Sequence, residues 1–484
     1  MLLSKMLDGL QYVGINNFRD MEIKRVMYDS RKVEDGDIFV CIKGFNTDGH
    51  MYIGQAIKKG AKAVVIDGNH EIRREDVPVI IVEDTRNALA YLSSKIYGFP
   101  SGNFCLIGVT GTNGKTTVTF LIKNILDYLG KKTGLIGTIK NIVGDEEIAS
   151  EHTTPEAADL QKLFHDMTLK GIDYCVMEVS SHSLELKRVD YTDFNVGVLT
   201  NITQDHLDFH ITMDNYVNAK AKLFERSSDY CILNADDKYI ETIKSKCNHK
   251  AHICTYGIEN GDIRVKINSL KIGQTNFDIL IKGKRYNVNY RVPGRFSVYN
   301  AMAAFSTLYC LGFSPEDIVE GMENFNGVPG RFEVLNLPVG FKVVIDYAHT
   351  PDGLMNILNS INECEHSRII TVFGCGGNRD KTKRPLMGKI ACELSDLVII
   401  TSDNPRNEDP MKIIDDIEAG ILNKYNNYFK IENRKEAIKL ALDMAKDNDI
   451  VLLAGKGHET YQILGDRTVP FDERLVVKDI LGVK

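Results

Sequence analysis

One stretch, GVTGTNGKTTV at residues 108–118, most constrains what this chain can fold into. The apolar run 104–109 before it predicts a buried strand, and residues 116–129 predict a helix that ends at Gly130. A glycine-rich turn between a strand and a helix points its backbone N–H groups inward, where the helix N-terminus adds partial positive charge. The stretch therefore predicts a loop that wraps the phosphates of a nucleoside triphosphate.

Two side chains of this loop have expected roles. Lys115 would reach the β- and γ-phosphates, and the hydroxyl of Thr116 would hold Mg²⁺. The strict motif has a glycine five residues before Gly114, but Val109 stands there and Gly108 comes one position too early. A glycine turn in an ordinary α/β protein is the alternative, and the Gly-Lys-Thr-Thr run after a strand favours nucleotide binding.

The chain has 484 residues, too many for one core, and the pattern predicts an α/β protein of three domains. Residues 1–100, the first unit, predict a small α/β domain. Residues 101–330, the second unit, alternate strands with helices and predict a mostly parallel sheet around the phosphate loop. Residues 331–484, the third unit, predict a doubly wound, Rossmann-like domain without a phosphate loop. Residues 260–292 alternate at period two and predict a small antiparallel excursion.

Composition argues against several classes of partner. The net charge of -7 provides no basic field, so nucleic acid is not expected as a partner. The chain shows no signal peptide and no apolar run of transmembrane length, so no membrane partner is expected. Ten cysteines without a CxxC pair favour free thiols in a reducing compartment. We therefore expect a cytoplasmic protein.

Polar residues follow the predicted strands of the second unit, where ligands collect in parallel sheets. Glu178 ends the strand 173–180 and is a hard oxygen ligand suited to Mg²⁺, with a solvent-facing acid as the alternative. His206 is either a metal ligand or a structural histidine. Lys220, on the helix 215–224, is expected from the residues alone to lie on a solvated face. Ser30, in a loop of the first unit, either binds an anionic group or belongs to a solvated turn.

Three strand ends of the third unit carry side chains of mixed charge, namely Arg379, Asp403, Asn404, Arg406 and Glu459. Arginine forks suit carboxylates, and acidic groups suit an ammonium. Together they predict a pocket for an amino acid, and unrelated surface loops are the alternative.

Taken in order, the motifs of the whole chain resemble those of the Mur ligase family of ATP-dependent amide-bond-forming enzymes. The matching segments are GTNGKTT (111–117), HTTP (152–155), EVSSH (178–182), NITQDHLDFH (201–210), YAHTPD (347–352) and DNPR (403–406). This family uses the shortened phosphate loop, which accounts for Val109. DNPR resembles the signature of the diaminopimelate-adding members, whereas lysine-adding members typically replace its arginine.

The resemblance implies a reaction in peptidoglycan precursor synthesis. ATP would activate the D-glutamate γ-carboxylate of UDP-N-acetylmuramoyl-L-alanyl-D-glutamate as an acyl phosphate, and the amine of meso-diaminopimelate would attack it. The protein would be a monomer that acts on these small molecules with ATP and Mg²⁺. The alternatives are a lysine-adding form, another Mur or folylpolyglutamate ligase, and a nucleotide-gated binding protein or simple NTPase.

The resemblance also implies roles for individual residues. The catalytic residues would be Lys115, Lys220 and His206. The metal site would comprise Thr116, Glu178, His206 and Lys220, the last carbamylated by CO₂ to an anion. The nucleotide contacts would be Gly111, Thr112, Asn113, Gly114, Lys115, Thr116, Thr117, Asn300, Arg331, Asp346 and His349. The contacts to the UDP-muramoyl-dipeptide would be Ser30, Thr153, Thr154, Ser180 and Arg188. The diaminopimelate contacts would be Arg379, Asp403, Asn404, Pro405, Arg406, Gly455 and Glu459.

Overall fold

The computed structural model of the chain describes residues 1–44, 47–70 and 76–483. Its strands form sheets of five, eleven and six strands in chain order, followed by a two-stranded hairpin. The α/β class and the largely parallel sheets predicted from the sequence are confirmed. The domain limits near residues 100 and 330 stay a prediction. Within the described ranges, no helix has the length and apolar character needed to cross a membrane.

The first unit is a small sheet with the order β1-β5-β4-β3-β2, parallel except between β1 and β5. Its strands are β1 (Gly14–Asn16), β2 (Val26–Met27), β3 (Ile38–Val40), β4 (Ala63–Asp67) and β5 (Val79–Val82). Its helices are α1 (Leu3–Leu7), α2 (Ile53–Lys58) and α3 (Thr85–Ile96), with 3₁₀ turns at Gly49–Tyr52 and Pro100–Asn103. Alternate residues of β4 enter two different hydrophobic clusters, so both faces of the strand are buried and its sequence is continuously apolar.

The second unit is the eleven-stranded sheet, ordered β16-β15-β14-β13-β12-β11-β6-β10-β7-β8-β9. Its strands are β6 (Cys105–Thr110), β7 (Thr133–Ile136), β8 (Lys140–Val143), β9 (Glu146–Ala149), β10 (Tyr174–Glu178), β11 (Phe194–Leu199), β12 (Ser227–Asn234), β13 (His252–Gly257), β14 (Ile263–Lys271), β15 (Gln274–Ile281) and β16 (Lys284–Tyr290). Its helices are α4 (Lys115–Tyr128), α5 (Ala157–Leu169), α6 (Ser181–Glu185), α7 (Leu207–His210), α8 (Met213–Arg226), α9 (Ile240–Lys244), α10 (Arg295–Cys310) and α11 (Pro315–Glu323).

The antiparallel strands predicted in residues 260–292 are present as β14, β15 and β16, but they do not form a separate excursion. β14 pairs in parallel with β13 at Tyr256–Ile263, so the three strands extend the central sheet. The carboxylate of Asp236 accepts three backbone N–H groups of the connection, from Ile258, Glu259 and Asn260, and these bonds hold the turn between the two strands.

β6 lies between β10 and β11, and two facing glycines leave space beside it. Gly108 of β6 pairs with Gly197 of β11. A β-carbon at Gly108 would lie 2.7 Å from a ring carbon of Phe194, and one at Gly197 would lie 3.2 Å from the ring of Phe224 on α8. The missing side chains let α8 pack closely on the sheet. The role of Gly108 is therefore to allow this packing. This explains why a glycine stands one position before the place where the strict phosphate-loop motif requires one.

The third unit is the six-stranded sheet, ordered β17-β18-β22-β19-β20-β21 and parallel except for β17. Its strands are β17 (Glu333–Leu335), β18 (Lys342–Asp346), β19 (Ile369–Phe373), β20 (Leu397–Ile400), β21 (Tyr428–Lys430) and β22 (Ile450–Ala454), with the hairpin β23 (Tyr461–Leu464) and β24 (Arg467–Pro470). Its helices are α12 (Pro351–Asn362), α13 (Lys383–Leu394), α14 (Pro410–Glu418), α15 (Arg434–Met444) and α16 (Glu473–Leu481). The chain order reverses beside β22, and ligands bind at such switch points, outside the carboxyl ends of the strands.

A fully buried ion pair ties the last helix to this edge of the sheet. Arg434, at the start of α15, donates from Nε to Oε1 of Glu473 at 2.8 Å, and neither side chain is exposed. Its NH2 group also donates to the carbonyl oxygen of Ala454 at the end of β22, at 2.9 Å. The pair thus fixes α16 and the loop that follows β22.

We predict that Arg434→Ala lowers the free energy of unfolding by about 3–5 kcal/mol, because it leaves a carboxylate buried without a countercharge. Urea unfolding of the full chain measures the change. The neighbouring Lys435→Ala is the matched control, since Lys435 forms an exposed bridge to Asp479 and its loss should have almost no effect. Equal effects of the two substitutions would refute the structural role assigned to Arg434.

Candidate active site

The phosphate loop connects β6 to α4 and depends on two glycines. Gly111 and Gly114 have φ angles of 150° and 88°. A β-carbon on Gly114 would overlap Oδ1 of Asn300, and one on Gly111 would overlap Oγ1 of Thr200. The loop therefore lies directly against α10, which carries Asn300, as expected for a nucleotide contact from that helix. Thr116 and Thr117 follow as buried residues in the first turn of α4.

The segment after β11 holds the loop in place. Asn201 accepts the N–H of Asn113 at 3.0 Å and donates to its carbonyl oxygen at 3.1 Å. The backbone carbonyl of Asn201 accepts the N–H of Thr112 at 2.8 Å, and Thr200 donates to Asn113 O at 2.6 Å. The sequence assigns no role to Asn201, the first residue of the NITQDHLDFH segment, or to Thr200. Both roles depend on contacts between segments about ninety residues apart, which a local pattern does not contain.

Two lysines donate to the same backbone oxygen of this loop. Nζ of Lys115 and Nζ of Lys220 each lie 2.8 Å from Gly111 O. Lys220 comes from α8, is only 1% exposed and lies over the ring of Tyr216 at 4.5 Å. The solvated face expected for Lys220 from the residues alone is therefore wrong, because α8 packs against the glycines of β6 and β11.

Burial governs the protonation of both lysines. It lowers the pKa of Lys115, against the opposing influence of Glu178 and Asp205. It lowers the pKa of Lys220 well below the ordinary value, and the nearby ammonium group of Lys115 lowers it further. Lys220 is thus a buried amine poised to lose its proton.

Glu178, at the end of β10, faces the start of α4 and is buried, so the solvent-facing alternative is wrong. Its Oε2 accepts the hydroxyl of Thr116 at 3.0 Å. Thr138, which the sequence did not single out, donates to the same carboxylate through its N–H at 2.8 Å and its hydroxyl at 3.0 Å. The structure thus brings together the two oxygen donors predicted for a metal site.

His206 lies at the edge of the same region. It has a left-handed backbone (φ 52°), a half-exposed ring, and its Nε2 lies 3.4 Å from Asp205 Oδ2. Desolvation in the cleft lowers its pKa, and Lys115 and Lys220 lower it further, although Asp205 opposes them. The imidazole is therefore biased towards its neutral form, which is the form that can ligate a metal.

The third unit contacts the phosphate loop directly. Oδ2 of Asp352, in the first turn of α12, accepts from Nδ2 of Asn113 at 3.0 Å and from Oγ1 of Thr203 at 2.8 Å. Asp352 is the last residue of the YAHTPD segment and was not predicted to have a role. The strand ends of the third unit consequently face the nucleotide-binding half of the molecule.

The three nucleotide contacts predicted in the third unit lie around this junction. Asp346 accepts the N–H groups of Phe332 and Ala348 at 2.7 and 2.8 Å. The guanidinium of Arg331 lies 4.6 Å from the ring centroid of Tyr347, and its Nε is buried without a hydrogen-bond acceptor among the described residues. Nδ1 of His349 lies 2.9 Å from the Tyr347 carbonyl, and surrounding protein and Lys383 lower the pKa of His349 to about 4.

Four of the predicted dipeptide contacts lie together beside β10. Thr154 donates to the carbonyl of Glu178 at 2.8 Å and accepts the N–H of Ser180 at 3.1 Å. Arg188 donates to the Thr154 carbonyl at 3.1 Å. Thr153 contacts the hydroxyl of Thr138 at 3.0 Å, the residue that also binds Glu178. These hydroxyl and guanidinium groups therefore border the candidate metal ligands.

Ser30 belongs to the first unit, where its hydroxyl donates to Gln55 of α2 at 3.1 Å. Its loop reaches the second unit through Tyr28, which donates to Asp159 of α5 at 2.6 Å. A second bridge at 2.6 Å joins Lys187 to Asp84. The structure thus places Ser30 at the junction of the first two units.

The polar residues predicted in the third unit lie in one cluster. Asn404 donates to Oε2 of Glu459 at 2.8 Å, and Nζ of Lys456 lies 3.2 Å from Asn404 Oδ1 and 3.3 Å from Glu459 Oε2. Lys456 is fully buried and was not predicted as part of the pocket. A β-carbon on Gly455 (φ 114°) would lie 2.7 Å from Asp403 Oδ2, so glycine is needed there. Burial and Asp403 raise the pKa of Glu459, with Lys456 opposing them.

The two predicted arginines border the same glycine of the loop after β19. A β-carbon on Gly376 would lie 3.1 Å from NH1 of Arg406 and 3.8 Å from Cγ of Arg379. Arg406 has a left-handed backbone (φ 52°), and its NH1 donates to the Gly377 carbonyl at 2.9 Å. Gly377 in turn lies directly against the carbonyl of Pro405. The loops that carry these residues lie together, so the alternative of unrelated surface loops is wrong. The ligands that these residues bind stay a prediction.

A phosphate loop in one parallel sheet, contacted by a unit that carries a cluster of mixed charge, is the arrangement expected of a nucleotide-dependent ligase. Three family models match the chain: Mur ligase family, catalytic domain (residues 22–97), Mur ligase middle domain (109–308) and Mur ligase, glutamate ligase domain (330–457). The chain belongs to the Mur ligase family, whose members use ATP.

Two curated relatives match over full length. The UDP-N-acetylmuramoyl-L-alanyl-D-glutamate--2,6-diaminopimelate ligase of Clostridium perfringens is 48% identical over 492 residues, which is 100% of each chain. The protein of the same name from Clostridioides difficile is 44% identical, again over 100% of each chain.

Solved structures agree on the fold. A UDP-N-acetylmuramoyl-L-alanyl-D-glutamate--2,6-diaminopimelate ligase structure is 31% identical, with a TM-score of 0.68 and coverage of 95% of both chains. The MurF ligase of Thermotoga maritima in complex with ADP is 20% identical, with a TM-score of 0.64 and coverage of 91% of this chain and 96% of that one. The second likeness concerns the fold alone.

We predict that Gly114→Ala reduces ATP-dependent turnover by on the order of 10²-fold, because the new methyl group displaces the loop against Asn300. Gly130→Ala is the matched control: Gly130 also has a positive φ (69°), but no atom lies within 4 Å of its added carbon. That control should cost about 1–2 kcal/mol of stability from the left-handed backbone and leave ADP affinity intact. ADP titration and thermal unfolding separate the two effects, and unchanged ADP affinity in Gly114→Ala would contradict this account of the loop.

Proposed function

We propose that this chain is an ATP-dependent ligase that joins meso-2,6-diaminopimelate to the D-glutamate of UDP-N-acetylmuramoyl-L-alanyl-D-glutamate, a step of peptidoglycan precursor synthesis. The observation that carries the proposal is the pocket formed by Asn404, Arg406 and Glu459, on the unit that touches the phosphate loop through Asp352. Full-length relatives at 44–48% identity bear the name of this activity.

The reaction needs the γ-phosphoryl group of ATP to activate a carboxylate, since a carboxylate anion repels nucleophiles. The loop amides of residues 111–114 and Lys115 oppose the charge of the triphosphate and position it, and such positioning supplies most of the catalysis of phosphoryl transfer. The D-glutamate γ-carboxylate attacks the γ-phosphorus, ADP leaves, and an acyl phosphate results. The neutral amine of diaminopimelate then attacks the acyl carbon, and phosphate leaves together with one proton of the amine.

Two oxygen donors beside the loop fit Mg²⁺. The Thr116 hydroxyl and the Glu178 carboxylate are hard oxygen ligands 3.0 Å apart. His206 and the oxygens of a carbamylated Lys220 would complete the proposed set. When bound, Mg²⁺ would neutralise charge on the phosphate oxygens. Nucleotide contacts from Asn300, Arg331, Asp346 and His349 complete the ATP site, and the buried unpaired Nε of Arg331 is a donor available to a ligand.

The lowered pKa of Lys220 favours its carbamylation. Its lowered pKa leaves more of the amine neutral, and a neutral amine can attack CO₂. The new N–C bond forms as one proton leaves Nζ, and the product is an anion. A carbamate at this position would replace a repulsive neighbour of Lys115 with an attractive one.

The first unit and the edge of β10 would bind the nucleotide-sugar dipeptide. Ser30 would contact the UDP-sugar, and Thr153, Thr154, Ser180 and Arg188 would contact the muramoyl-dipeptide. Their position beside Glu178 supports this assignment, because the acceptor carboxylate must reach the γ-phosphate.

Arg406 accounts for the choice of diaminopimelate over lysine. The two amino acids differ by one carboxylate, which Arg406 can bind bidentately with Arg379 beside it. Asp403, Asn404 and Glu459 would hold the ammonium group on the same carbon as that carboxylate, with Gly455 and Pro405 shaping the loops. Lysine would leave the guanidinium without its anion, and a site built for a polar group rejects an analogue that lacks it.

We further propose a cytoplasmic monomer that acts on these small molecules and has no nucleic-acid or membrane partner. The net charge of -7 supports the absence of a nucleic-acid partner.

The decisive experiment is phosphate release with UDP-N-acetylmuramoyl-L-alanyl-D-glutamate and ATP, with meso-diaminopimelate, L-lysine or L-ornithine as the amine. We expect release with meso-diaminopimelate and little with the other two. Preference for lysine would identify a lysine-adding enzyme. Hydrolysis of ATP without any dependence on the amine would instead identify an NTPase or a nucleotide-gated binding protein.

We predict that Arg406→Ala lowers kcat/KM for meso-diaminopimelate by on the order of 10²–10³-fold, because a charged hydrogen-bonding partner is lost. The KM for ATP should not change, since Arg406 belongs to the amine pocket. Arg467→Ala, an exposed arginine of the adjoining hairpin, is the control and should behave as the wild type. Unchanged kcat/KM for diaminopimelate in Arg406→Ala would exclude the assigned role.

A further inference from the structure

Two histidines and two aspartates meet in the first unit, outside the ligase site. Asp48 and His50 lie in the connection between β3 and α2, Asp67 ends β4, and His70 follows it. The two imidazole rings are stacked, with centroids 3.8 Å apart and an interplanar angle of 4°. His50 is buried, and the other three side chains are partly exposed.

Each carboxylate faces one nitrogen of each ring. Asp48 Oδ1 lies 2.6 Å from His50 Nδ1, and Asp48 Oδ2 lies 3.8 Å from His70 Nε2. On the opposite side, Asp67 Oδ1 lies 2.8 Å from His70 Nδ1, and Asp67 Oδ2 lies 3.8 Å from His50 Nε2. The stacked rings thus lie between two carboxylates, one on each side of the pair.

The groups on the Asp48 side lie close enough together to be candidate ligands of one shared ion. Across the ranges that the structure describes, Asp48, His50 and His70 are the one set of three or more potential ligands whose donor atoms all lie within 4.8 Å of one another. Two imidazole nitrogens and one carboxylate oxygen suit Zn²⁺ and its transition-metal neighbours, whereas Mg²⁺ and Ca²⁺ prefer oxygen ligands alone.

Asp67 supplies the outer partner that such sites usually have. A metal-bound histidine commonly donates its second N–H to a carboxylate, which fixes the ring and its tautomer. Nδ1 of His70 already has this partner in Asp67. In this structure Nε2 of His50 accepts the backbone N–H of Asp67 at 3.3 Å, so the ring proton is on Nδ1. Metal binding through Nδ1 requires the other tautomer. In that tautomer Nε2 carries the proton and directs it to Asp67 Oδ2.

We propose that Asp48, His50 and His70 bind a divalent transition-metal ion of the Zn²⁺ type, with Asp67 orienting the histidines. The ion joins the β3–α2 connection to the segment after β4, two parts of the chain otherwise held by the sheet. Its effect is to stabilise the first unit, and it is independent of the phosphate-loop chemistry.

The test is calorimetric titration of Zn²⁺ into the chelator-treated full chain, with Mg²⁺ in excess to occupy oxygen-rich sites. We expect the wild type to bind one ion that His70→Ala and Asp48→Asn do not bind. We expect Asp67→Asn to bind the ion about 10–100-fold more weakly. Zn²⁺ should also raise the thermal midpoint of the wild type and leave those of His70→Ala and Asp48→Asn unchanged. Co²⁺ in place of Zn²⁺ should give visible absorption in the wild type alone.

Two features keep the outcome decisive. Asp48→Asn retains a side-chain oxygen that can accept the backbone N–H of His50, a bond of 3.0 Å in this structure. The turn is therefore preserved while the carboxylate is lost. His249→Ala removes an exposed histidine elsewhere and should titrate like the wild type. If His70→Ala and Asp48→Asn, shown by thermal unfolding to be folded, bind Zn²⁺ with wild-type stoichiometry and affinity, the site does not exist. That result would leave the proposed ligase activity untouched.

Discussion

Two amines, the buried one of Lys220 and the half-buried one of Lys115, meet at one carbonyl oxygen, and the remainder of the active region depends on this convergence. Lys115 is brought to Gly111 by the start of α4, and Lys220 by the close packing of α8 on Gly108 and Gly197. Away from bulk water two like charges repel strongly, so one amine must lose its proton or an anion must enter. Phosphate oxygens beside Lys115 and a carbamate on Lys220 are the two anions that would relieve this repulsion. The proposed chemistry follows from the same electrostatic constraint.

One sheet carries the phosphate loop and the next carries the proposed amine site. This arrangement would keep water from an acyl phosphate formed between them. Asp352 links the third unit to Asn113 of the phosphate loop, and Arg331 lies close enough to Lys115 to influence its pKa. The proposed nucleotide contacts would therefore come from both units, and the proposed amine site is carried on the unit that contacts the loop. A bound nucleotide would strengthen this contact, because its phosphates would be held from both sides of the junction.

Local signals in the sequence predicted the fold class and the phosphate loop. The apolar runs of the strands, the glycine turn and the polar residues at strand ends are each visible in a short segment of the sequence. Long-range packing was not predictable in the same way. The burial of Lys220 requires two glycines on separate strands, and the contact of Asp352 joins residues 239 apart in the chain. The parallel pairing of β14 with β13 likewise depends on three hydrogen bonds to Asp236 that no period-two pattern reveals. The family resemblance assigned residues to ligands, whereas Thr138, Asn201 and Lys456 became visible as neighbours of the site only in three dimensions.

Charge balance within the third unit supports the proposal that its polar cluster binds an amino acid with two ammonium and two carboxylate groups. Lys456 is fully buried and lies 3.3 Å from Glu459, so part of the acidic charge is already neutralised inside the protein. The hydrogen bonds that the structure assigns to Arg406 all go to backbone carbonyls. These bonds give its charge no anionic partner. Asp403 and Glu459 remain to face a cation. An α-amino acid group with its carboxylate at Arg406 and its ammonium at the acids would complete both sets, and a ligand without that carboxylate would leave the arginine uncompensated.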